Sequence, residues 1–242
     1  MNLIVDIGNS AVKLAVVEKD RVVEALTDSS ASFAEGANFL RKYKNLPTIV
    51  ASVRSENDEV EKLVNSLIIN ELRLNHKTPL PIKNLYATPE TLGKDRLAAA
   101  VGAAHLFPNK NVLVVDAGTA LTYELINERG EYLGGNISLG IDMRFRALHE
   151  FTGRLPLCRR AEDYAAVGTD TQSAIVAGVL NGALYEVEAN IELFSLKNPN
   201  LNVILTGGDA NFFANRLKKP IFVVYDLVIM GLNRILEHVQ QR

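Results

Sequence analysis

The chain has 242 residues, 48% of them hydrophobic and 22% charged, an ordinary globular balance with enough apolar side chain for one large core or two smaller ones. No uncharged apolar run approaches the ~20 residues of a membrane-spanning helix. With 26 Lys plus Arg against 28 Asp plus Glu, the net charge of −2 leaves no basic block to hold a nucleic-acid backbone. Disorder, a membrane span and nucleic-acid binding are therefore set aside.

The chain opens Met1-Asn2-Leu3-Ile4-Val5-Asp6, with an acid where a secretory signal would still be building its apolar segment, so a cytoplasmic protein is expected. Residues 3–5 and 12–17 read as two strands joined by a Gly/Asn turn at Asp6-Ile7-Gly8-Asn9-Ser10. Helical patterns follow at 33–43, 58–69 and 96–107, with a short strand at 48–53 between the first two. The hairpin pattern then returns: strands at 112–115 and 121–126 flank Asp116-Ala117-Gly118-Thr119-Ala120. Helices are predicted around 143–151 and over 171–196, strands at 203–206 and 221–225, and a closing helix at 226–239.

Strands and helices thus alternate in two similar halves. The sequence predicts α/β architecture in a duplicated chain, divided into 1–107 and 108–242 where Pro108 and Asn109 interrupt the periodicity. Within the long helix, Ile175, Val179, Gly182, Ala183 and Val187 form an apolar, partly small-residue stripe. It suits either a two-fold interface or a helix buried in its own half.

A glycine in an Asp-x-Gly-(Asn/Thr) turn lets the backbone approach an anion and aim successive N–H groups at it. Asp6 and Asp116, at the strand ends, could hold a hydrated cation against the same phosphates, because magnesium prefers hard oxygen ligands. One such turn is commonplace; two in duplicated settings point to a phosphate site. A third glycine turn, Thr206-Gly207-Gly208-Asp209, leaves room for a phosphate or a flat ring, or is a simple strand-to-helix turn. Neither a P-loop nor a dinucleotide Gly-x-Gly-x-x-Gly motif is present.

The polar segment 86–96 leads into an Ala-rich helix. There Asp95 is either a helix cap or a carboxylate placed beside Arg96 to accept a hydroxyl proton. Cys158 is the single cysteine and has no intramolecular disulfide partner; the four histidines are scattered without metal-ligand spacing. Arg144, Arg146, Arg159 and Arg160 receive no role from the sequence.

Two hairpins followed by a Gly-Gly turn resemble the superfamily of acetate kinase, sugar kinases, Hsp70 and actin. More closely, the chain resembles the type III pantothenate kinases. The match is carried by Asp6-Ile7-Gly8-Asn9-Ser10-Ala11-Val12-Lys13, Gly93-Lys94-Asp95-Arg96, Asp116-Ala117-Gly118-Thr119-Ala120 and Gly134-Gly135-Asn136-Ile137-Ser138-Leu139-Gly140. Arg154-Leu155-Pro156, Gly168-Thr169-Asp170-Thr171 and Thr206-Gly207-Gly208 follow in the same order.

The resemblance implies duplicated actin-like (ribonuclease H-like) halves with a nucleotide cleft between them. It also implies ATP-dependent phosphorylation of pantothenate to 4′-phosphopantothenate, the first step of coenzyme A biosynthesis, by a homodimer. By the same resemblance, Asp6 through Lys13 and Thr119 bind ATP, Asp116 holds a monovalent cation, K⁺ or NH₄⁺, and Mg²⁺ accompanies ATP. Asp95 is the proton acceptor, and Tyr86, Gly93, Lys94, Asp95, Arg96 and Thr171 contact pantothenate, with Thr171 reaching into a partner's pocket. Glu124 stands where an aspartate is more usual and Leu139 where proline is common; neither is a catalytic position. A non-catalytic nucleotide-binding regulator, or another small-molecule kinase, would share the scaffold.

Overall fold

The computed structural model describes residues 1–30, 32–55, 57–68 and 71–242, which form two compact units. The first unit comprises Met1–Pro108, Gly130–Leu133 and Asp226–Arg242; the second comprises Asn109–Arg129 and Gly134–Tyr225.

In the first unit the expected hairpin is β1 (Asn2–Ile7) and β2 (Val12–Glu18), paired antiparallel with Asp6 opposite Lys13. The chain then adds β3 (Arg21–Asp28), α1 (Ala34–Tyr43), β4 (Thr48–Ser52), α2 (Glu59–Leu67), β5 (Glu71–Arg73), β6 (Lys83–Asn84) and α3 (Lys94–Leu106). The sheet order is β3-β2-β1-β4-β5, antiparallel through β1, β2 and β3 and parallel through β1, β4 and β5. Every residue of β4 and all but the first of β1 are buried, as central strands covered on both faces require. β3, absent from the sequence reading, alternates exposed and half-buried residues at the sheet edge. Leu3, Val5, Ile7, Leu14 and Val50 pack with Phe39 and Leu40 of α1 and Val64 of α2. The second helix starts one residue after its cap: Asp58 accepts hydrogen bonds from the amides of Val60 and Glu61. Of the expected span 58–69, Ile69 lies outside the described residues.

The second unit repeats the plan. β7 (Val112–Ala117) and β8 (Ala120–Ile126) form the second hairpin; β9 (Glu131–Leu139) starts in the first unit, where Glu131 and Tyr132 pair with β6, and continues into the second. Then come α4 (Ile141–Glu150), α5 (Thr171–Lys197), β10 (Asn202–Thr206), α6 (Ala210–Ala214), β11 (Phe222–Val223) and α7 (Leu227–Gln240). The order β9-β8-β7-β10-β11 matches β3-β2-β1-β4-β5 strand for strand, which is the duplication expected from the two hairpins.

Leu113, Val115 and Tyr123 of this sheet pack with Phe145 of α4 and with Ile175, Val179, Ala183 and Val187 of α5. Four members of the apolar stripe on the long helix are therefore core of their own unit, and Gly182 alone is half-exposed. Among the described residues, no helix is long and apolar enough to cross a membrane.

The closing helix departs from the expected division at 107/108. α7 folds with the first unit, against α3, β1 and β4. Glycines set that contact: a Cβ on Gly102 would lie 2.5 Å from the Leu227 carbonyl oxygen, and one on Gly231 would overlap the Ala98 carbonyl. The two helix backbones meet where neither has a side chain.

Candidate functional site

In the first unit, the turn between β1 and β2 carries the first glycine motif. The Gly8 amide donates to the Ala11 carbonyl at 3.0 Å and closes the turn, with Asn9 and Ser10 exposed at its tip. Within the expected ATP stretch, Ile7 and Val12 are core side chains, so only their backbones are available to a ligand. Asp6 is buried at the strand end, and Ala11 and Lys13 are half-buried. A cavity of about 310 Å³ opens beside the turn, lined among others by Asn9, Ser10, Arg54 and Asp58.

The second cluster of this unit surrounds the start of α3. Tyr86 is fixed through its amide, which donates to Asn84 Oδ1 at 2.9 Å, and its ring stacks on Tyr132 at 6.1 Å between centroids. The Arg96 guanidinium, on a residue 6% exposed, lies 5.7 Å from the centre of the Tyr86 ring. Gly93, not Asp95, occupies the helix cap position and contributes no side-chain bond. Asp95 lies in the first turn, where the positive end of the helix favours its charge. Its Oδ1 accepts the Arg96 amide at 2.8 Å, and among the described residues its Oδ2 takes no hydrogen bond. A Cβ on Gly93 would stand 2.6 Å from Asp95 Oδ1, so glycine is what lets the carboxylate fold back over the helix start. Tyr86, Gly93, Asp95 and Arg96 are thereby brought together; Lys94 is half-exposed beside them.

In the second unit, the β7–β8 turn is closed by the Gly118 amide on the Ala120 carbonyl at 3.1 Å. Asp116 is half-buried, opposite Thr122 on β8 and Thr206 on β10, and Thr119 is exposed at the tip. Two further glycines press on this turn. Gly207, at φ 89°, leaves no room for a Cβ between Asp116 Oδ1 and the Ala117 carbonyl, and the Asp209 amide donates to that carbonyl at 2.9 Å. A Cβ on Gly140 would overlap the carbonyl oxygens of Gly118 and Thr119. The Gly-Gly turn expected as a separate feature is therefore part of the wall around Asp116. Gly140 packs against the tip of the same turn, at Gly118 and Thr119.

Sequence reasoning missed two supports. Arg160 pairs with Asp209 at 2.5 Å beside the glycine turn, and burial pushes the Asp209 carboxyl up, a rise that Asp142 reinforces and Arg160 opposes. Asp142, Arg146, Cys158, Arg160 and Asp209 are among the residues lining a cavity of about 510 Å³ there. Arg144 pairs with Glu186 of α5 and donates through Nε to the Leu139 carbonyl at 2.9 Å, anchoring the strand end that delivers Gly140. Burial, with Glu186 next to it, pushes the Tyr123 hydroxyl up, and that hydroxyl donates to Glu186 Oε1 at 3.2 Å. No pairing of residue types in sequence announces the contacts of Arg160 with Asp209 and of Arg144 and Tyr123 with Glu186, because each joins segments dozens of positions apart.

Thr171 lies at the start of the long helix. It is the exposed first residue of α5, preceded by Asp170, whose carboxylate accepts the Ser173 amide at 3.0 Å in a capping box. Among the described residues, no group of three or more His, Cys, Asp or Glu side chains is placed to cage a metal ion.

Residues 2–192 match the sequence profile of the type III pantothenate kinase family. A type III pantothenate kinase from Bacteroides fragilis is 47% identical over 238 residues, covering 98% of each chain. Among solved structures, a protein described as a conserved candidate transcriptional activator of the Baf family, from Campylobacter jejuni, superposes with a TM-score of 0.63 at 24% identity, over 99% of this chain and 100% of that one. An inorganic polyphosphate/ATP-glucomannokinase from Arthrobacter superposes with a TM-score of 0.52 at 14% identity over the full length of both chains. These structural likenesses carry the fold, the actin-like architecture of sugar kinases, while the sequence matches carry the family. With both glycine hairpins, the Asp95–Arg96 start of α3 and a near full-length match in hand, the chain belongs to the type III pantothenate kinase family.

Proposed function

We propose that the protein transfers the terminal phosphoryl group of ATP to the primary hydroxyl of pantothenate, giving 4′-phosphopantothenate at the first step of coenzyme A synthesis. The observation that carries this reading is the cluster at the start of α3. There a buried Arg96, its guanidinium 5.7 Å from the centre of the Tyr86 ring, stands next to an Asp95 carboxylate with one oxygen open.

Phosphoryl transfer asks a protein mainly for positioning and charge neutralisation. The amides of the turn within Asp6–Lys13, together with Thr119, hold the phosphates of ATP. Gly207 and Gly208 border the adenosine; around Gly208 a Cβ would meet nothing within 4 Å, so a flat group can lie on that backbone. Arg96 and Tyr86 orient pantothenate with Gly93, Lys94 and Thr171. Asp95 Oδ2 accepts the proton of the attacking hydroxyl.

The donor set suits sparse metal ligation. Asp116 offers a single hard-oxygen carboxylate at a strand end, which fits K⁺, NH₄⁺ or a hydrated Mg²⁺ that keeps its waters. When bound, such cations neutralise the charge that develops on the phosphates.

The homodimer is part of this reading, on a different face from the one the sequence stripe suggested. Ala174, Gly178, Tyr185, Ala189, Leu193 and Leu196 are exposed at helical spacing on α5, and a Cβ on Gly178 or Gly182 would meet open space. A cytoplasmic location accords with the substrates.

The test is product identification. Purified protein with ATP, Mg²⁺, pantothenate and K⁺ or NH₄⁺ is expected to yield a species heavier than pantothenate by one phosphoryl group in mass spectrometry. Omitting pantothenate should abolish ADP release. A folded protein that makes no phosphopantothenate refutes the reading.

A further inference from the structure

The segment that follows β4 is tied to the first glycine turn by a residue to which neither the motifs nor the family match gives a role. β4 runs parallel to β1 with Ser52 beside Ile7, and the chain then leaves the sheet through Val53 and Arg54. The Val53 amide donates to the Ile7 carbonyl at 3.1 Å. Arg54 Nε donates to the Gly8 carbonyl at 2.8 Å, and Nη2 reaches the Asn9 carbonyl at 3.5 Å. Three successive carbonyls of the turn therefore face this one segment.

A trans peptide unit points its N–H opposite to its C=O. The unit joining Ile7 and Gly8 already obeys this: its carbonyl meets Val53 while its amide closes the turn on Ala11. The next two units place the amides of Asn9 and Ser10 away from Arg54, on the exposed tip. Successive amides turned the same way form the concave donor set that takes an anion. A cation on the carbonyl end of the same peptide units also polarises them, which strengthens the donors.

Arg54 is itself held in place. Its amide donates to Ser52 Oγ at 3.1 Å, and Nη1 lies 3.5 Å from Asp58 Oδ1, the carboxylate that caps α2. The cavity that Arg54 lines together with Asn9 and Ser10 is also lined by Asp28, Asp58 and Glu59; Asp58 is ion-paired with the guanidinium, and these carboxylates repel a phosphate from it. The positive charge thus acts through the turn and not by touching the nucleotide.

We propose that Arg54 is a positioning residue for ATP, holding the carbonyls of Gly8 and Asn9 so that the amides of Asn9 and Ser10 face the phosphates. This rests on the reading that the turn Asp6–Lys13 binds ATP. Arg54→Ala and Arg54→Lys should be compared with the natural protein in steady-state kinetics, in isothermal titration with Mg·ADP and in thermal melting. Hydrogen bonds to charged groups support a rise of about 10- to 100-fold in the ATP KM of Arg54→Ala. The pantothenate KM should stay within about twofold. Arg54→Lys should fall between the two, since an ammonium can reach one carbonyl but cannot span both. Added methylguanidinium should lower the ATP KM of Arg54→Ala.

An unchanged ATP KM in a folded variant overturns the proposal. So does a parallel rise in both KM values with a lowered melting temperature and no methylguanidinium rescue, because that is the mark of a merely structural role. If Arg54→Ala fails to fold, Arg54→Lys decides by the same KM split. Should the natural protein make no phosphopantothenate, the function reading falls. The Mg·ADP titration of both proteins then judges Arg54 separately.

Discussion

Asp95 has one carboxylate oxygen engaged by the Arg96 amide and one open, and it lies in the first turn of α3, not at the cap. That position is not the cap its sequence place also allowed, and the open oxygen is the one proposed to accept the proton. Asp95→Asn keeps the size and an oxygen for the Arg96 amide but cannot accept a proton. Turnover should fall by roughly 10²–10⁴-fold, with Mg·ADP affinity and melting temperature nearly unchanged; a variant with near-natural turnover would mean that the carboxylate is only structural. A different carboxylate governs stability. Asp28 is buried and accepts the Ser30 hydroxyl at 2.6 Å, the Gly36 amide at 2.9 Å and the Ser30 amide at 2.8 Å. Those bonds hold its pKa below the usual 3.8. A depressed native pKa contributes stability that is present above the unfolded value and lost as pH falls through the native one. Asp28→Asn should therefore lower the melting temperature at pH 7, and the deficit should shrink steadily below about pH 4. A deficit equally large in acid would assign the effect to packing. The motif residues themselves were legible in sequence because a glycine turn at a strand end is a local pattern. Their supports, Arg160 to Asp209 and Arg144 to Glu186, were not, because nothing local distinguishes an arginine that finds a distant carboxylate from one left in solvent.

Elements divide along the same line. The hairpins and the helices α1, α4, α5 and α7 follow from apolar periodicity and α3 from its Ala-rich run, buried without a break from Arg96 to Ala103, patterns that a single segment carries by itself. β5 and β6, three and two residues long, exist only because a neighbouring strand offers a ladder, so no pattern could announce them. The allegiance of α7 was equally hidden: its apolar face fits any core, and only the glycines at 102 and 231 show where it docks. Gly231→Ala tests that docking. The added methyl would overlap the Ala98 carbonyl one turn beyond Asp95, and overpacking of this kind costs about 1–3 kcal/mol. The denaturation midpoint should drop accordingly, and the pantothenate KM should rise as α3 is displaced. A variant as stable as the natural protein would show that the helices slide apart without strain.

At the scale of the whole molecule, two copies of one strand order place two glycine turns at equivalent strand ends, and the repeat of Asp6-Ile7-Gly8 as Asp116-Ala117-Gly118 was enough to read that from sequence. Assembly was not readable in the same way. An apolar stripe on a long helix states that something covers it, and the stripe with the strongest pattern on α5 turned out to be covered by its own unit. The remaining face leaves Tyr185 60%, Leu193 54% and Leu196 78% exposed beside two glycines with open space above them. Burying such side chains is worth about 25 cal/mol per Å² of apolar surface, and a two-fold axis on this face would pack the same patch of both chains together, each residue i of one against residue j of the other and the reverse. Leu193→Glu should therefore shift light-scattering mass from two chains to one, because it would set like charges into an apolar seam. Composite sites give a sharper test. If Thr171 serves a partner's pocket, Asp95→Asn and Thr171→Arg chains, each inactive alone, should regain activity when mixed, since one site of the heterodimer would carry neither change. Activity should return on the timescale of subunit exchange and be absent when both chains also carry Leu193→Glu. Full specific activity in a monomer, or no recovery after proven exchange, would place Thr171 outside any shared site.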